Sequence, residues 1–272
     1  MKETREFIGF IGAGNMATAL ISGLVNGNHN PSRIIASSPE EEHLDRLSKD
    51  HKIKTTQDNL DVVELADIVI LAVKPNMIKT ILEELKETIL KNNPLLISIA
   101  AGVKIEKIES LISSPTRIIR AMPNTPASIM EGVTAISPND YVKKSDIAKA
   151  KSVFEHVGVV TEIKENNIDI YTALIGSGPA YIFYLVEALL ESSDGLELSV
   201  EEKIHLLSAM ISGAANLART SEDSPEILRK KVTSPGGVTQ RAIEEFEVSN
   251  LKDIIKRAME EAEKKSIELG ED

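Results

Sequence analysis

Cysteine is absent from this 272-residue sequence. Its absence excludes disulfides, thiolate catalysis and metal sites built on sulfur, and it fits a reducing compartment. The histidines are few and scattered, no pair has the spacing of metal ligands, and no serine nucleophile motif accompanies them. They are His29, His43, His51, His156 and His205. We therefore predict no metal site.

An excess of positive charge is also missing. The chain carries 42 acidic and 31 basic residues, for a net charge of −11. Nucleic-acid binding needs clustered lysine and arginine, so this balance argues against such a partner. Any anionic ligand must be held by local groups.

Long apolar runs are the third absence. The N-terminus is charged and then hydrophobic for too few residues to be a secretory signal, and no apolar run approaches the length of a membrane span. With 42% hydrophobic residues the chain can still bury a real core. We expect a soluble, cytoplasmic protein.

Short β-rich runs alternate with helical segments over the first part of the chain. Alternation at these lengths requires right-handed crossovers and predicts a mainly parallel, doubly wound α/β sheet with helices on both faces. One run, Asp67–Val73, is continuously apolar, as expected for a strand covered on both faces. The predicted strands are Phe7–Ile11, Arg33–Ala36, Asp67–Val73, Leu95–Ile99, Arg117–Met122, Gly132–Ser137 and Val159–Ile163.

After about Glu165 the strand-like runs stop and the pattern becomes helical. The sequence thus predicts two domains, a dinucleotide-binding domain of Rossmann type over residues 1–165 and an all-helical domain over residues 166–272. Small residues in the helix predicted for Val200–Thr220 would let helices pack closely, and a helical unit that buries too little alone often pairs with a second copy. We expect a homodimer through this half.

A glycine-rich loop follows the first predicted strand. Gly12-Ala13-Gly14-Asn15-Met16-Ala17 provides a tight turn, room for a pyrophosphate and a small residue for helix packing, and the helix that it opens stabilises negative charge. At this first strand–helix junction the motif favours a dinucleotide site over a ligand-free tight turn.

The end of the second strand bears on the choice of cofactor. Enzymes that use NAD usually place an acid there, whereas this chain has Ser37 and Ser38, which favours NADPH over NADH. The acidic run Glu40-Glu41-Glu42 works against that prediction, because it could repel a 2′-phosphate. Arg33, which precedes the strand, is a candidate for a compensating charge.

Three further strand ends belong to the same crevice, since ligands of open α/β sheets lie at the carboxyl ends of the strands. They are Ala72-Val73-Lys74-Pro75, the segment 98–102 and the segment 122–126. Lys74 is a solvated lysine or a cofactor contact, with equal weight. The prolines beside Asn124-Thr125 suit a wall against the nicotinamide or a plain turn.

The helical half holds two loops of interest. Gly176–Tyr181 breaks one helix and starts another, and a kink or hinge is the favoured interpretation. TSPGGVTQRA (233–242) enters a helix whose first N–H groups could bind a carboxylate beside the hydroxyls of Ser234 and Thr239. A capped turn facing solvent is equally compatible, and Glu222 is exposed unless it lines the crevice.

The motifs together resemble the pyrroline-5-carboxylate reductase family over nearly the whole chain. FIGFIGAGNMA, ASSPE, ILAVKPNM, SIAAGV, IRAMPNTPA, GSGPAY and TSPGGVTQRAIE follow one another in the family's order. The resemblance implies reduction of the C=N bond of 1-pyrroline-5-carboxylate by NAD(P)H, the last step of proline biosynthesis. It also implies a Rossmann domain, a helical domain that dimerises, and dimers that often assemble into a decamer, a pentamer of dimers.

The resemblance also assigns residues. Cofactor contacts would be Ile11, Gly12, Ala13, Gly14, Asn15, Met16, Ser38, Asn59, Ala72, Val73, Lys74, Pro75, Ala100 and Ala101. The substrate loop would contain Ser234, Gly237, Val238 and Thr239, with Glu165 and Glu222 as weaker candidates. The N–H groups of Gly237 to Thr239 would hold the carboxylate, and the hydroxyl of the catalytic Thr239 would bind the ring nitrogen.

Two positions depart from the family pattern. Val238 replaces a threonine found in many bacterial relatives, which is harmless if only its N–H is used. Lys231 stands where some relatives carry asparagine, which leaves its cofactor contact open.

Two other functions compete with this one. A β-hydroxyacid dehydrogenase would need a lysine on the helix after the Rossmann domain, and Ile175–Glu191 contains none. A non-catalytic NADPH sensor would not need the hydroxyls of the loop at Ser234–Thr239.

Overall fold

The structure, a computed structural model, describes residues 6–271. Within them, strands and helices alternate over the first part of the chain and helices alone follow. The strands are β1 (Ile8–Ile11), β2 (Ile34–Ser37), β3 (Lys54–Thr56), β4 (Ile68–Leu71), β5 (Leu95–Ser98), β6 (Ile118–Met122), β7 (Gly132–Pro138) and β8 (Gly158–Glu162). The helices are α1 (Asn15–Asn26), α2 (Glu41–His51), α3 (Asn59–Leu65), α4 (Ile78–Asn92), α5 (Ile105–Ile112), α6 (Lys144–Glu155), α7 (Ile168–Tyr171), α8 (Gly178–Glu191), α9 (Val200–Thr220), α10 (Pro225–Lys231), α11 (Val238–Val248) and α12 (Leu251–Glu271).

The strands of the described residues form one eight-stranded sheet in the order β3-β2-β1-β4-β5-β6-β7-β8. The strands from β1 to β6 pair in parallel, and β7 is antiparallel to β6. The order reverses between β1 and β4, which is the point where ligands bind in doubly wound sheets. The predicted doubly wound α/β fold is confirmed.

Helices cover both faces of this sheet. Phe10 of β1 packs in a cluster with Leu20 of α1, whereas the next residue, Ile11, packs with Leu82 of α4 on the opposite face. All four residues of β1 are buried. Each fully buried side chain of this kind contributes roughly 1.5–3 kcal/mol, so the glycine loop that follows β1 is held by a fully buried strand.

Two elements of the α/β part were not predicted, namely β3 and α3. β3 is a three-residue edge strand of Lys54, Thr55 and Thr56, none of them buried, so it lacks the apolar run of the inner strands. Asp58 caps α3 by accepting the Leu60 N–H at 2.8 Å. α3 packs closely on β1, because a Cβ on Gly9 would lie 2.4 Å from Val62 Cγ1.

The chain divides into two compact units. The first contains the described residues up to Ser177 and those from Ala262 onward, and the second contains Gly178–Glu261. The predicted functional division at residues 165 and 166 stays a prediction. A π-helical turn at Thr172–Gly176 and a bend at Ser177 precede α8, so the chain does interrupt its helix where glycine and proline cluster.

The expectation that no segment approaches a membrane span needs correction. Glu165–Glu191 is long and apolar enough by length and composition, with a mean hydropathy of 1.5 over 18 residues. Glycines, tyrosines and a serine interrupt the apolar run in this segment, whereas its isoleucines, leucines, alanines and valine keep the average hydropathy high. One such helix is weak evidence for a membrane.

A buried ionic cluster ties the last turns of α12 to the rest of the first unit, to which they belong. Arg120 of β6 is 3% exposed and donates to Glu165 at 3.4 Å and to Asp169 at 3.3 Å. The Ser266 hydroxyl of α12 donates to Asp169 at 2.9 Å. The two carboxylates therefore share one buried guanidinium, and a residue far along the chain completes the cluster.

Candidate active site

The glycine loop joins β1 to α1 at the carboxyl edge of the sheet. Gly12 has a φ of +104°, and a Cβ at this position would lie 2.4 Å from the Ala72 carbonyl oxygen. Gly14 caps α1 with extended backbone, and nothing lies within 4 Å of the place where its Cβ would be. Gly12 is thus required by the fold, whereas Gly14 leaves open space above the helix.

This geometry fits the pyrophosphate of a dinucleotide. No side chain caps the start of α1 and its first turn contains no acid, so its N–H groups remain available to an anion. The space over Gly14 allows a phosphate to approach the backbone. The loop predicted to bind the cofactor therefore has the donors and the room that the cofactor needs.

The end of β2 supplies polar groups beside this loop. The buried Ser37 donates to Asn59 Oδ1 at 2.7 Å, which leaves the amide N–H groups of Asn59 as its ligand-binding donors. The Ser38 hydroxyl donates to Glu40 Oε2 at 2.7 Å and accepts the Glu40 N–H at 3.2 Å. Ser38 and Asn59 thus lie at the predicted edge, and Ser38 already has a carboxylate partner.

Glu40 is the acidic residue nearest to this strand end. The hydrogen bond from Ser38 is the main cause that holds the pKa of Glu40 below its ordinary value, with smaller contributions from His43 and Lys74. The carboxylate is therefore ionised at neutral pH. In the sequence this segment is an acidic run, and the spacing Ser-x-Glu is the signal that one member of the run folds back onto Ser38.

The ends of β4 and β5 complete the cofactor crevice. The Ala72 N–H donates to the Ile11 carbonyl at 2.8 Å, which places the β4 end directly beside the glycine loop. Ala100 follows β5 and is buried, whereas Lys74 is exposed. Because the strands are parallel neighbours, the predicted segments 72–75 and 100–101 lie at one edge with the glycine loop.

The loop after β6 has a structural role. Asn124 is buried, accepts the Val133 N–H at 2.8 Å and donates to the Ile175 carbonyl at 3.2 Å. Both ends of its amide are used within the first unit. Of the two interpretations offered for this loop, a structural turn explains Asn124.

The second unit contains the loop at 234–239 and the start of α11. Gly236 has a φ of +72° and donates its N–H to Gln240 Oε1 at 2.6 Å. Gly237 caps α11 with no side-chain hydrogen bond, and the first turn contains no acid. Thr239 and Ser234 are exposed. This helix entrance therefore offers both N–H groups and hydroxyls to a ligand.

One predicted donor in this loop is already used. The Gly237 N–H donates to the Ser234 carbonyl at 3.0 Å, which closes the turn. The first helical bond runs from the Arg241 N–H to the Gly237 carbonyl at 3.3 Å. The expectation that Gly237 binds a carboxylate through its N–H stays a prediction, and this N–H has an internal acceptor with which a ligand would compete. The N–H groups of Val238 and Thr239 precede the first helical bond and are the better candidates.

The two weaker candidates have different surroundings. Glu165 accepts the Ile105 N–H at 2.7 Å and pairs with Arg120, so its contacts explain it as part of the buried cluster. Glu222 is exposed. Its neighbour Asp223 forms an ion pair with Lys231, which gives Lys231 a role within the second unit.

Comparison with protein families assigns both parts of the chain. A family model described as pyrroline-5-carboxylate reductase dimerisation matches residues 165–269. A second model, described as NADP oxidoreductase, coenzyme F420-dependent, matches residues 7–102. The second match covers the glycine loop and the ends of β2, β4 and β5.

Full-length relatives agree with these matches. A pyrroline-5-carboxylate reductase of Pseudomonas aeruginosa is 36% identical over 97% of this chain and 97% of its own length. The structure of a pyrroline-5-carboxylate reductase from Coxiella burnetii is 40% identical, with a TM-score of 0.91, over 98% of this chain and 99% of that one. A Plasmodium falciparum pyrroline carboxylate reductase with NADP bound is 30% identical, with a TM-score of 0.90, over 99% and 100%.

Proposed function

The chain belongs to the pyrroline-5-carboxylate reductase family, and from that premise we propose how its residues divide the work of reducing 1-pyrroline-5-carboxylate to L-proline, the last step of proline biosynthesis. It is an NADP-dependent oxidoreductase, and NADH is also used in the family. The observation that carries the proposal is the uncapped, acid-free entrance of α11 at Val238. It supplies an anion site in the second unit, and we assign the uncapped glycine loop at the start of α1 to the cofactor.

We assign the cofactor to residues 1–165. The N–H groups at the start of α1 bind the pyrophosphate, and Ser38 with Asn59 binds the adenosine ribose end. The β4 and β5 ends, Ala72–Pro75 and Ala100-Ala101, line the remaining part of the crevice. Bound there, NADPH supplies the hydride.

We assign the substrate to residues 166–272. The N–H groups of Val238 and Thr239 hold the carboxylate, because they lack helical acceptors and lie at the positive end of the helix dipole. Ser234 adds a hydroxyl on the same loop, and Glu222 remains a candidate beside it. Gly236 and Gly237 shape the turn that presents these donors.

The reaction requires little of the protein beyond orienting the substrate. The protonated ring C=N of the substrate is already electrophilic, so C5 accepts the hydride and the nitrogen becomes a secondary amine without a further proton. The hydroxyl of Thr239 fixes the ring nitrogen by a hydrogen bond, and the loop fixes the carboxylate. Two anchors on one rigid helix turn provide catalysis by proximity.

Position Val238 allows a test of the N–H assignment. Proline at the first position of a helix removes only an N–H that has no helical partner, and Gly237 before it has φ −84° and ψ 172°, which proline tolerates. We expect Val238→Pro to raise the KM for 1-pyrroline-5-carboxylate about tenfold or more without loss of stability. Val238→Ala is the matched control, because the side chain is 90% exposed and the N–H is kept.

Thr239 is tested in the same assay, the oxidation of NADPH on addition of 1-pyrroline-5-carboxylate. We expect Thr239→Ala to lower kcat/KM roughly 100-fold and Thr239→Ser to recover most of it, with NADPH affinity unchanged in both. Near wild-type turnover of Thr239→Ala would remove this residue from the mechanism. Absence of NADPH oxidation by the wild-type protein would contradict the function itself.

The chain self-associates as a dimer through its dimerisation domain. Among the described residues no side chain of α8 or α9 is buried, and Phe183, Tyr184 and Leu217 are more than half exposed. A second copy covering these helices accounts for this surface. Assembly of dimers into a decamer is part of our proposal, and light scattering of the purified protein measures it.

The protein is soluble, as its family membership implies. Pairing of α8 with a second copy also accounts for the apolar character of Glu165–Glu191 without a membrane. A cytoplasmic location completes the proposal and agrees with the lack of cysteine.

A further inference from the structure

We infer that Glu40 sets the balance between NADPH and NADH, by occupying the Ser38 hydroxyl and placing a negative charge where a 2′-phosphate would bind. This inference rests on the proposed function, because it concerns the cofactor of the same crevice. It makes Glu40 a specificity-determining residue, opposed in effect to Ser38 and Asn59.

The contact between Glu40 and Ser38 uses the whole hydroxyl. Ser38 donates to Glu40 Oε2 at 2.7 Å and accepts the Glu40 N–H at 3.2 Å. A serine hydroxyl has a single donor. A 2′-phosphate that takes this donor must therefore displace the carboxylate, whereas a ribose 2′-hydroxyl can donate to the carboxylate where it stands.

Charge acts in the same direction as the hydrogen bonds. Both the Glu40 carboxylate and a 2′-phosphate are negative at neutral pH, so they repel each other within contact distance. The Glu40 side chain is 63% exposed, which screens the repulsion and keeps its size moderate. The site thus accepts NADPH at a disadvantage and does not exclude it.

Two neighbours of Glu40 limit its effect. His43 Nδ1 lies 3.7 Å from Glu40 Oε2, and Lys74 at the β4 end attracts the same carboxylate through space. Lys74 would also attract a 2′-phosphate. Removal of the Glu40 charge leaves Lys74 to the phosphate alone, so the expected effect of substitution is a shift toward NADPH.

The test is direct binding of the adenosine ends of the two cofactors. Isothermal titration with 2′-phospho-ADP-ribose and with ADP-ribose reports this edge alone, since neither probe carries a nicotinamide. We expect Glu40→Gln to lower the Kd of the phosphorylated probe about tenfold relative to that of the other. The ratio of kcat/KM for NADPH to that for NADH should rise by a similar factor.

Glu42→Gln is the matched control. It removes one negative charge from the first turn of α2. The Ser38 hydroxyl donates to Glu40, so the Glu42 variant leaves that hydrogen bond in place. An unchanged Kd ratio in Glu40→Gln, or an equal shift in Glu42→Gln, would overturn the inference. Wild-type protein that binds neither probe and oxidises no NADPH would overturn the proposed function as well.

Discussion

The glycine loop allows the needs of the fold and of the cofactor to be separated by two similar substitutions. Gly12→Ala adds a Cβ where φ is +104° and where the Ala72 carbonyl oxygen would lie 2.4 Å away. The left-handed backbone costs roughly 1–2 kcal/mol for an alanine. Overlap with a main-chain oxygen cannot be relieved by a rotamer change and adds about 1–3 kcal/mol, as in other overpacked sites.

These two terms together predict that Gly12→Ala lowers the free energy of unfolding by about 2–5 kcal/mol. Urea denaturation followed by circular dichroism measures this loss. Cofactor binding should fail in parallel, because β1, β4 and the loop must move apart to admit the new methyl group.

Gly14→Ala is the comparison that makes the measurement informative. Its φ is −72° and nothing lies within 4 Å of the added Cβ, so we expect stability to change by less than about 0.5 kcal/mol. The methyl group enters the space assigned to the pyrophosphate, and NADPH affinity should fall at least tenfold. Equal stability losses in the two variants would refute the reasoning, as would normal NADPH binding by Gly14→Ala.

Two further predictions concern stability alone. Arg120→Met leaves Asp169 and Glu165 without their shared guanidinium and should lower the free energy of unfolding, measured in urea, by about 3–5 kcal/mol. Lys256→Ala breaks an exposed ion pair and should lower it by less than about 0.5 kcal/mol. Similar losses in the two variants would contradict the contribution of the buried cluster. Burial, and to a smaller extent the nearby His156, holds the pKa of His29 below its ordinary value of 6.5. As the pH falls below 6.5, the unfolded chain therefore binds a proton that the folded chain does not bind. The free energy of unfolding should fall in this range. His29→Gln should flatten this part of the pH profile, and an unchanged slope would exclude His29 as its source.

The sequence was informative wherever local pattern and burial coincide. The run at Asp67–Val73 predicted β4 because both faces of that strand are covered. The glycine loop was located because Gly12 has a backbone that only glycine suits, in a motif that directly follows the first strand. β3 was missed because an edge strand has one exposed side and needs no apolar run. Local signals thus defined the sheet and the cofactor edge.

Features that depend on distant contacts escaped prediction. Nothing near Asp169 in the sequence indicates that Arg120 and Ser266 will bond to it, because Arg120 is 49 and Ser266 is 97 residues away. The Gly237 N–H donates to Ser234, and the Ser38 hydroxyl donates to Glu40. Both hydrogen bonds depend on the conformation of a loop, and the sequence motif alone does not determine that conformation. The places of the candidate residues at the strand ends and at the helix entrance were therefore predictable, their roles stay predictions, and their internal hydrogen-bond partners were not predictable.

The position of Ser266 in the cluster around Arg120 has a consequence for how the protein is made. Synthesis delivers all of the second unit, Gly178–Glu261, before the residues that complete the first. The two segments of the nucleotide-binding unit are therefore synthesised at different times. The buried cluster around Arg120 gains the hydrogen bond from Ser266 only when the second segment has been made. A fragment ending near residue 177 would keep the sheet but expose Asp169 to water. An isolated cofactor domain therefore needs residues 262–270 joined to the first segment by a linker.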